Sequence, residues 1–217
     1  MAALWCAASA VSGCASARTI EEVVRDLGPA ARARLAPRFR AAGATYPPRA
    51  VTLLVLKEER VLELWADDGA PRLVHRYPVL AASGALGPKL REGDRQVPEG
   101  VYRVLWLNPN SSYHLSMKLD YPNAFDREHA RRDGRTGLGG DIFVHGRAVS
   151  IGCVALGDPA IEELFVLAAD TGVARVKAVI APRDLRVASA RDPEIAAAWA
   201  PELYRLVRRE LARLRAD

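Results

Sequence analysis

The run Asp141-Ile142-Phe143-Val144-His145-Gly146-Arg147-Ala148-Val149-Ser150-Ile151-Gly152-Cys153-Val154 carries both the organisation and the chemistry of this chain. Ile142, Phe143 and Val144 read as a buried strand that delivers a histidine followed by glycine. Eight residues after that histidine comes a cysteine, preceded by Ser-Ile-Gly. A thiol is a weak nucleophile until a neighbouring base or positive charge makes it a thiolate, and a strand-borne imidazole can act as that base. Cys153 is therefore the candidate nucleophile and His145 the candidate base. Gly146 and Gly152 are expected to take backbone geometry that strains other residues and to leave room for substrate. Amides at Gly152 and Cys153, in the turn that opens at Ser150, are expected to form an oxyanion hole. A structural histidine and an inert buried cysteine would fit the same spacing, which by itself does not choose between them.

Further segments carry a resemblance. His-Gly followed by Ser-x-Gly-Cys is similar to the signature of the L,D-transpeptidase catalytic domain family (YkuD-like), bacterial cell-wall enzymes with a cysteine nucleophile. Gly87-Pro88-Lys89, Glu92-Gly93-Asp94 and Val97-Pro98-Glu99-Gly100-Val101-Tyr102 resemble that family's G-x-K, G-D and T-P-x-G-x-Y segments. Tyr113-His114-Leu115-Ser116 and Tyr121-Pro122-Asn123 resemble a subgroup of periplasmic members from Gram-negative bacteria. The likeness covers roughly residues 50 to 182. It departs from the commonest members in its short His-to-Cys gap and in Ala155, which stands where Arg or Asn is frequent.

The resemblance implies a peptidoglycan-modifying cysteine acyltransferase acting on stem peptides through an acyl-enzyme. It also implies that a carbonyl, here that of Gly146, orients the histidine, and that Tyr113, His114, Ser116 and Tyr121 line the groove. If water replaces the acceptor amine, the enzyme is a thiol amidase that cuts a stem-peptide or peptidoglycan–lipoprotein link. A non-catalytic wall-binding module is a third reading. Peptidoglycan stem peptides are the expected partner, with an outer-membrane lipoprotein as a second, and the expected compartment is the periplasm.

Composition narrows the field. A chain of 217 residues can bury one sizeable core, and half its residues are hydrophobic, so one domain with extensions is expected. The net charge of +5 comes without aromatics interleaved among Lys and Arg, which gives nucleic-acid binding no support. The four histidines are scattered and the cysteines unpaired, so neither a metal site nor a cofactor is expected. The opening residues, apolar and small, resemble a secretory signal, with Ala15-Ser16-Ala17 as a cleavage site. Val11-Ser12-Gly13-Cys14 resembles a lipobox, and acylation of Cys14 would be the one route to a membrane. Either form of processing leaves Cys153 as the sole free thiol in an oxidising compartment, where a lone thiol favours catalysis.

The expected organisation is a leader over 1–17, a helical segment over 18–48, the catalytic domain over 49–186 and a helical extension over 187–217. The fold class is α+β, a mainly β sandwich-like domain flanked by helices at both ends. In the N-terminal segment Thr19 is a cap candidate and Gly28-Pro29 interrupts the helix. Strands are expected over 51–56, 61–65, 73–79, 101–107, 115–119 and 176–180. Residues 122–140 form a polar excursion, expected as a helix and loop acting as a substrate lid whose arginines pair with carboxylates. Asp158 is expected to cap a helix with Pro159 at its first position, and 193–216 reads as helical with Pro201 dividing it.

Overall fold

The computed structural model describes residues 17–215, so the leader with Cys6 and Cys14 lies outside the described residues. Strands β1 (Ala50–Leu56), β2 (Val61–Asp67) and β3 (Pro71–Pro78) form an antiparallel meander. β1 and β2 are buried almost end to end because both faces are covered. Leu53, Val55, Leu62 and Leu64 enter one core, while Leu54, Leu56 and Trp65 enter another on the opposite face. That double burial explains why β1 is apolar on both faces apart from the buried Thr52.

The sheet has eight strands in the order β3-β2-β1-β8-β4-β5-β6-β7. β8 (Val176–Ala181) lies parallel to β1 and antiparallel to the start of β4 (Gly100–Ser111). Beyond Arg103, β4 pairs instead with β5 (His114–Leu119), with register shifts at Val104/Trp106 and Asn108/Ser111. Such irregularities bend and twist a strand. β6 (Phe143–His145) adds to β5 antiparallel, and the two-residue β7 (Val154–Ala155) adds to β6 in parallel. The class is α+β, among the described residues a mixed sheet with four α-helices.

Helices α1 (Ile20–Ala41) and α3 (Asp158–Thr171) cover the first core with Val23, Leu35 and Phe39, and with Ile161, Leu164 and Phe165. α4 (Ala200–Arg213) covers the second with Leu203, Tyr204, Val207 and Leu211. Three local expectations are corrected. α1 runs unbroken through Gly28, Pro29 and Pro37, starting from a Thr19–Glu22 capping box. An interior proline costs about 3 kcal/mol, which burial of one helix face offsets here. The cap of α3 is Gly157, and Asp158 spends its carboxylate on the Arg147 amide at 2.8 Å instead. The last helix starts only at Ala200; before it, Trp199 stacks on His129 of α2 (Ala124–Arg132) and donates to Asp133 at 2.8 Å.

Candidate active site

The parallel β6–β7 pair builds the site. His145 is in register with Ala155 and Val144 with Val154. Continuing that register sets Cys153 beside Phe143, on the face that also carries His145, since side chains alternate along a strand. A backbone hydrogen bond from Phe143 reaches the Cys153 thiol. On the other face Val144, Val154 and Met117 fill the core. Ser116 is the cross-strand partner of His145, and Lys118 that of Phe143. One sheet face therefore gathers Ser116, Lys118, Phe143, His145 and Cys153.

His145 is 1% exposed. Its Nδ1 lies 2.6 Å from the Gly146 carbonyl, which can only accept, so Nδ1 carries the proton and Nε2 keeps a lone pair. Burial pushes the imidazole pKa down, against the opposing pull of that carbonyl. Tyr113 roofs the ring, with centroids 4.5 Å apart and planes at 32°. Gly146 is required by space, because a Cβ there would meet the Tyr113 carbonyl at 2.6 Å and Asp158 Oδ1 at 2.7 Å.

Cys153 is half-buried, and its thiol donates to the Asp141 carbonyl at 3.5 Å. Burial pushes its pKa up; the Phe143 hydrogen bond and the Lys118 charge oppose this without overcoming it. This corrects the expectation of a thiolate made by the imidazole at rest. Both groups are neutral near pH 7, the thiol as acid and the ring as base.

The expected oxyanion donors both have hydroxyl partners within the chain. The Gly152 amide donates to Ser83 Oγ at 2.6 Å, and the Cys153 amide to Ser150 Oγ at 3.0 Å. Ser150 in turn donates to the Cys153 carbonyl at 2.6 Å, so it closes the turn, and Gly152 supplies the φ of +103° the turn needs. A developing oxyanion would have to displace a serine hydroxyl from one of these amides.

Of the expected groove residues, Tyr113 and Ser116 lie with His145. His114 turns away, its Nε2 3.0 Å from Glu162 Oε1 on α3. Tyr121 is a core residue, 3% exposed, whose hydroxyl donates toward the Lys89 and Leu138 carbonyls. It faces inward because it continues the phase of Leu115, Met117 and Leu119. Arginines of the polar excursion are committed internally: Arg131 and Arg132 to Glu128, Arg135 to Asp133 and the Leu90 carbonyl.

Sequence reasoning missed Ser83, Lys118 and Trp106. Lys118 caps the Phe143 ring at 4.8 Å and pairs with Asp141 at 2.8 Å, and Trp106 packs edge-on against the same ring. The alternation of His114, Ser116 and Lys118 was a signal for Lys118, but nothing local pointed to Ser83. Trp106, Tyr113, Val149 and Ile151 are exposed apolar groups on segments bordering this face. A cavity of about 550 Å³ is lined by Pro88, Leu90, Arg91, Asp94, Gln96, Arg135 and Thr136. Cys153 and His145 are not in its wall. It adjoins the cysteine turn through Gln96, whose carbonyl would be 3.5 Å from a Cβ on Gly152.

A tautomer-fixed histidine on one strand and a cysteine directly before its parallel neighbour, in a mixed sheet, define a thiol-bearing α+β domain. The family profile of the L,D-transpeptidase catalytic domain matches residues 50–179, and the chain belongs to that family. Two curated relatives, both named "Putative L,D-transpeptidase YafK", come from Escherichia coli strain K12 and Escherichia coli O157:H7. Each is 39% identical over 118 residues, covering 53% of this chain and 46% of the relative. The chain thus spans about half the length of the curated relatives it matches. Among solved structures, the helical cell shape determining protein Pgp2 (K307A mutant) from Campylobacter jejuni matches at 24% identity and TM-score 0.49, covering 75% of this chain and 55% of that one. L,D-transpeptidase 1 from Mycobacterium tuberculosis matches at 13% identity and TM-score 0.34, covering 61% of this chain and 62% of that one.

Proposed function

We propose that this protein is a cysteine acyltransferase acting on peptidoglycan stem peptides in the periplasm, with Cys153 as nucleophile and His145 as general base. The observation that carries the reading is the fixed tautomer. A ring that donates through Nδ1 to Gly146 presents an unprotonated Nε2, the form that can accept a proton. Membership of the L,D-transpeptidase catalytic domain family supports the reaction class and the substrate.

His145 takes the thiol proton as the sulfur attacks a stem-peptide carbonyl. The tetrahedral intermediate collapses to a thioester, and the leaving amine departs with the proton returned by His145. An acceptor amine then yields a cross-link; water yields a free carboxylate. Trp106, Tyr113, Val149 and Ile151 supply apolar walls for the peptide, and Ser116 a hydroxyl beside the base. The acyl donor in this reading is the D-amino-acid-containing stem peptide itself, and an outer-membrane lipoprotein is a further acceptor to test.

The test is incubation of the purified protein with muropeptides, with products read by mass spectrometry. Cross-linked dimers identify the transferase and shortened peptides the amidase. Both are expected to vanish in Cys153→Ala. Unchanged muropeptides with the wild-type protein, or undiminished turnover by the alanine variant, would sink the proposal. In the former case, wall binding retained by both the wild type and Cys153→Ala would point to a binding module.

A further inference from the structure

We infer that Arg34, Glu162 and His114 form a positioning relay that holds Tyr113 as the roof over His145. The inference rests on reading His145 as the base of the site, but its test does not depend on turnover.

The relay starts at a buried anchor. Glu163 of α3 is 2% exposed and accepts from Arg34 Nε at 2.6 Å and from Tyr77 at 2.6 Å, with Arg38 also bound. Arg34 then reaches outward, its Nη2 donating to Glu162 Oε2 at 3.1 Å and to the Pro159 carbonyl at 3.4 Å. The other oxygen of Glu162 is the partner of His114 Nε2 at 3.0 Å.

His114 needs such a hold. Its φ is +73°, in the left-handed region that costs a non-glycine residue roughly 1–2 kcal/mol. It sits at the tip of the β4–β5 hairpin, directly after Tyr113. Strained backbone persists where surrounding contacts over-determine it, and the Glu162 contact is what determines this one. The consequence falls on Tyr113. Its amide donates to Ser111 Oγ at 3.1 Å and its carbonyl accepts from Leu115 at 3.1 Å. Its ring lies on the imidazole, and its carbonyl occupies the space beside Gly146. Tyr113 is 41% exposed while His145 is 1% exposed, so the tyrosine is the layer between base and water. Helix α3, itself anchored to α1 through Arg34, thereby sets how dry the base is.

Burial is the main cause of the lowered His145 pKa, and no charged side chain ranks among its causes. Its titration therefore reports the roof. The experiment is an NMR titration of the His145 imidazole in the wild type, Glu162→Ala, Tyr113→Ala and the double variant, assigned with His145→Gln. Glu162→Ala and Tyr113→Ala are each expected to raise the His145 pKa toward the ordinary 6.5, and the double variant to match Tyr113→Ala alone. Glu162→Gln, which keeps an oxygen for His114, is expected to restore most of the wild-type value. An unshifted titration in Glu162→Ala, or effects that add in the double variant, overturns the relay. Should Glu162→Ala fail to fold, Arg34→Met reads the same link from α1 under the same two criteria. A muropeptide assay that fails while the relay holds would reject the proposed chemistry and leave the positioning intact.

Discussion

At the scale of single residues, the site is two neutral groups kept neutral by burial. Burial lowers the imidazole pKa and raises the thiol pKa from their ordinary values, so in the proposed mechanism a free base faces a protonated thiol across neutral pH. The acid limb of kcat/KM, which reports the free enzyme, is expected below pH 6.5, because only protonation of His145 removes the base. A limb above pH 6.5 in a pH series with a defined peptide would contradict the dry imidazole. Alkylation of resting Cys153 by iodoacetamide should accordingly be slow at pH 7 and rise steadily with pH. Gly146 offers a second test at this scale. The added methyl of Gly146→Ala would strike the Tyr113 carbonyl and the Asp158 carboxylate, so the variant should lose about 1–3 kcal/mol in denaturant unfolding and most of its turnover.

At the scale of elements, α2 shows how a cap and a core can pull against each other. Asn123 and Asp126 form its capping box, which favours a charged carboxylate at the helix N-terminus. Yet Asp126 is buried near Tyr102, and burial pushes its pKa from 3.8 up to about 6. The folded state then holds a proton that the unfolded chain releases, and stability falls as pH rises from about 4 to about 6. Asp126→Asn, which keeps an oxygen for the Asn123 amide, should remove that slope. It should gain on the order of 2 kcal/mol near pH 7, measured by urea unfolding at several pH values. A wild-type curve flat between pH 4 and 6 would rule this out.

At the scale of the whole molecule, a buried ion pair joins distant parts of the chain. Lys57, at the end of β1, donates to Glu99 Oε1 at 2.9 Å and to the Gly87 and Val97 carbonyls. Glu99 also accepts from the Gly87 amide at 2.6 Å and, through Oε2, from Tyr204 of α4 at 2.8 Å. Strand, loop 87–99 and last helix are thus tied at one carboxylate whose side chain is fully enclosed. Breaking a buried pair from one side typically costs 3–5 kcal/mol because the other charge stays behind. Glu99→Ala should therefore lower the Tm by roughly 10 °C in a calorimetric scan. The paired change Lys57→Met with Glu99→Met should recover much of that loss, and a double variant as unstable as the single would refute the account.

Much of this was legible in local order. Apolar runs bounded by Gly, Pro and charged turns marked the strands, because a segment buried on both faces must be apolar throughout. The His-Gly and Ser-x-Gly-Cys pair marked the candidate site, because strand pairing across a short loop constrains which residues can stand side by side. What the sequence determined by itself was therefore the element types, the α+β class and the His–Cys pairing of the candidate site, each a property of neighbours along the chain. The tertiary structure alone decided that Tyr113 roofs the base while Tyr121 enters the core, and that His114 serves α3. It also decided that serine hydroxyls occupy the amides of the cysteine turn, and that burial leaves the thiol protonated. The physical reason is common to all of these: dehydration and long-range hydrogen bonding depend on what packs from the far side, and 69 residues of chain separate Ser83 from Gly152.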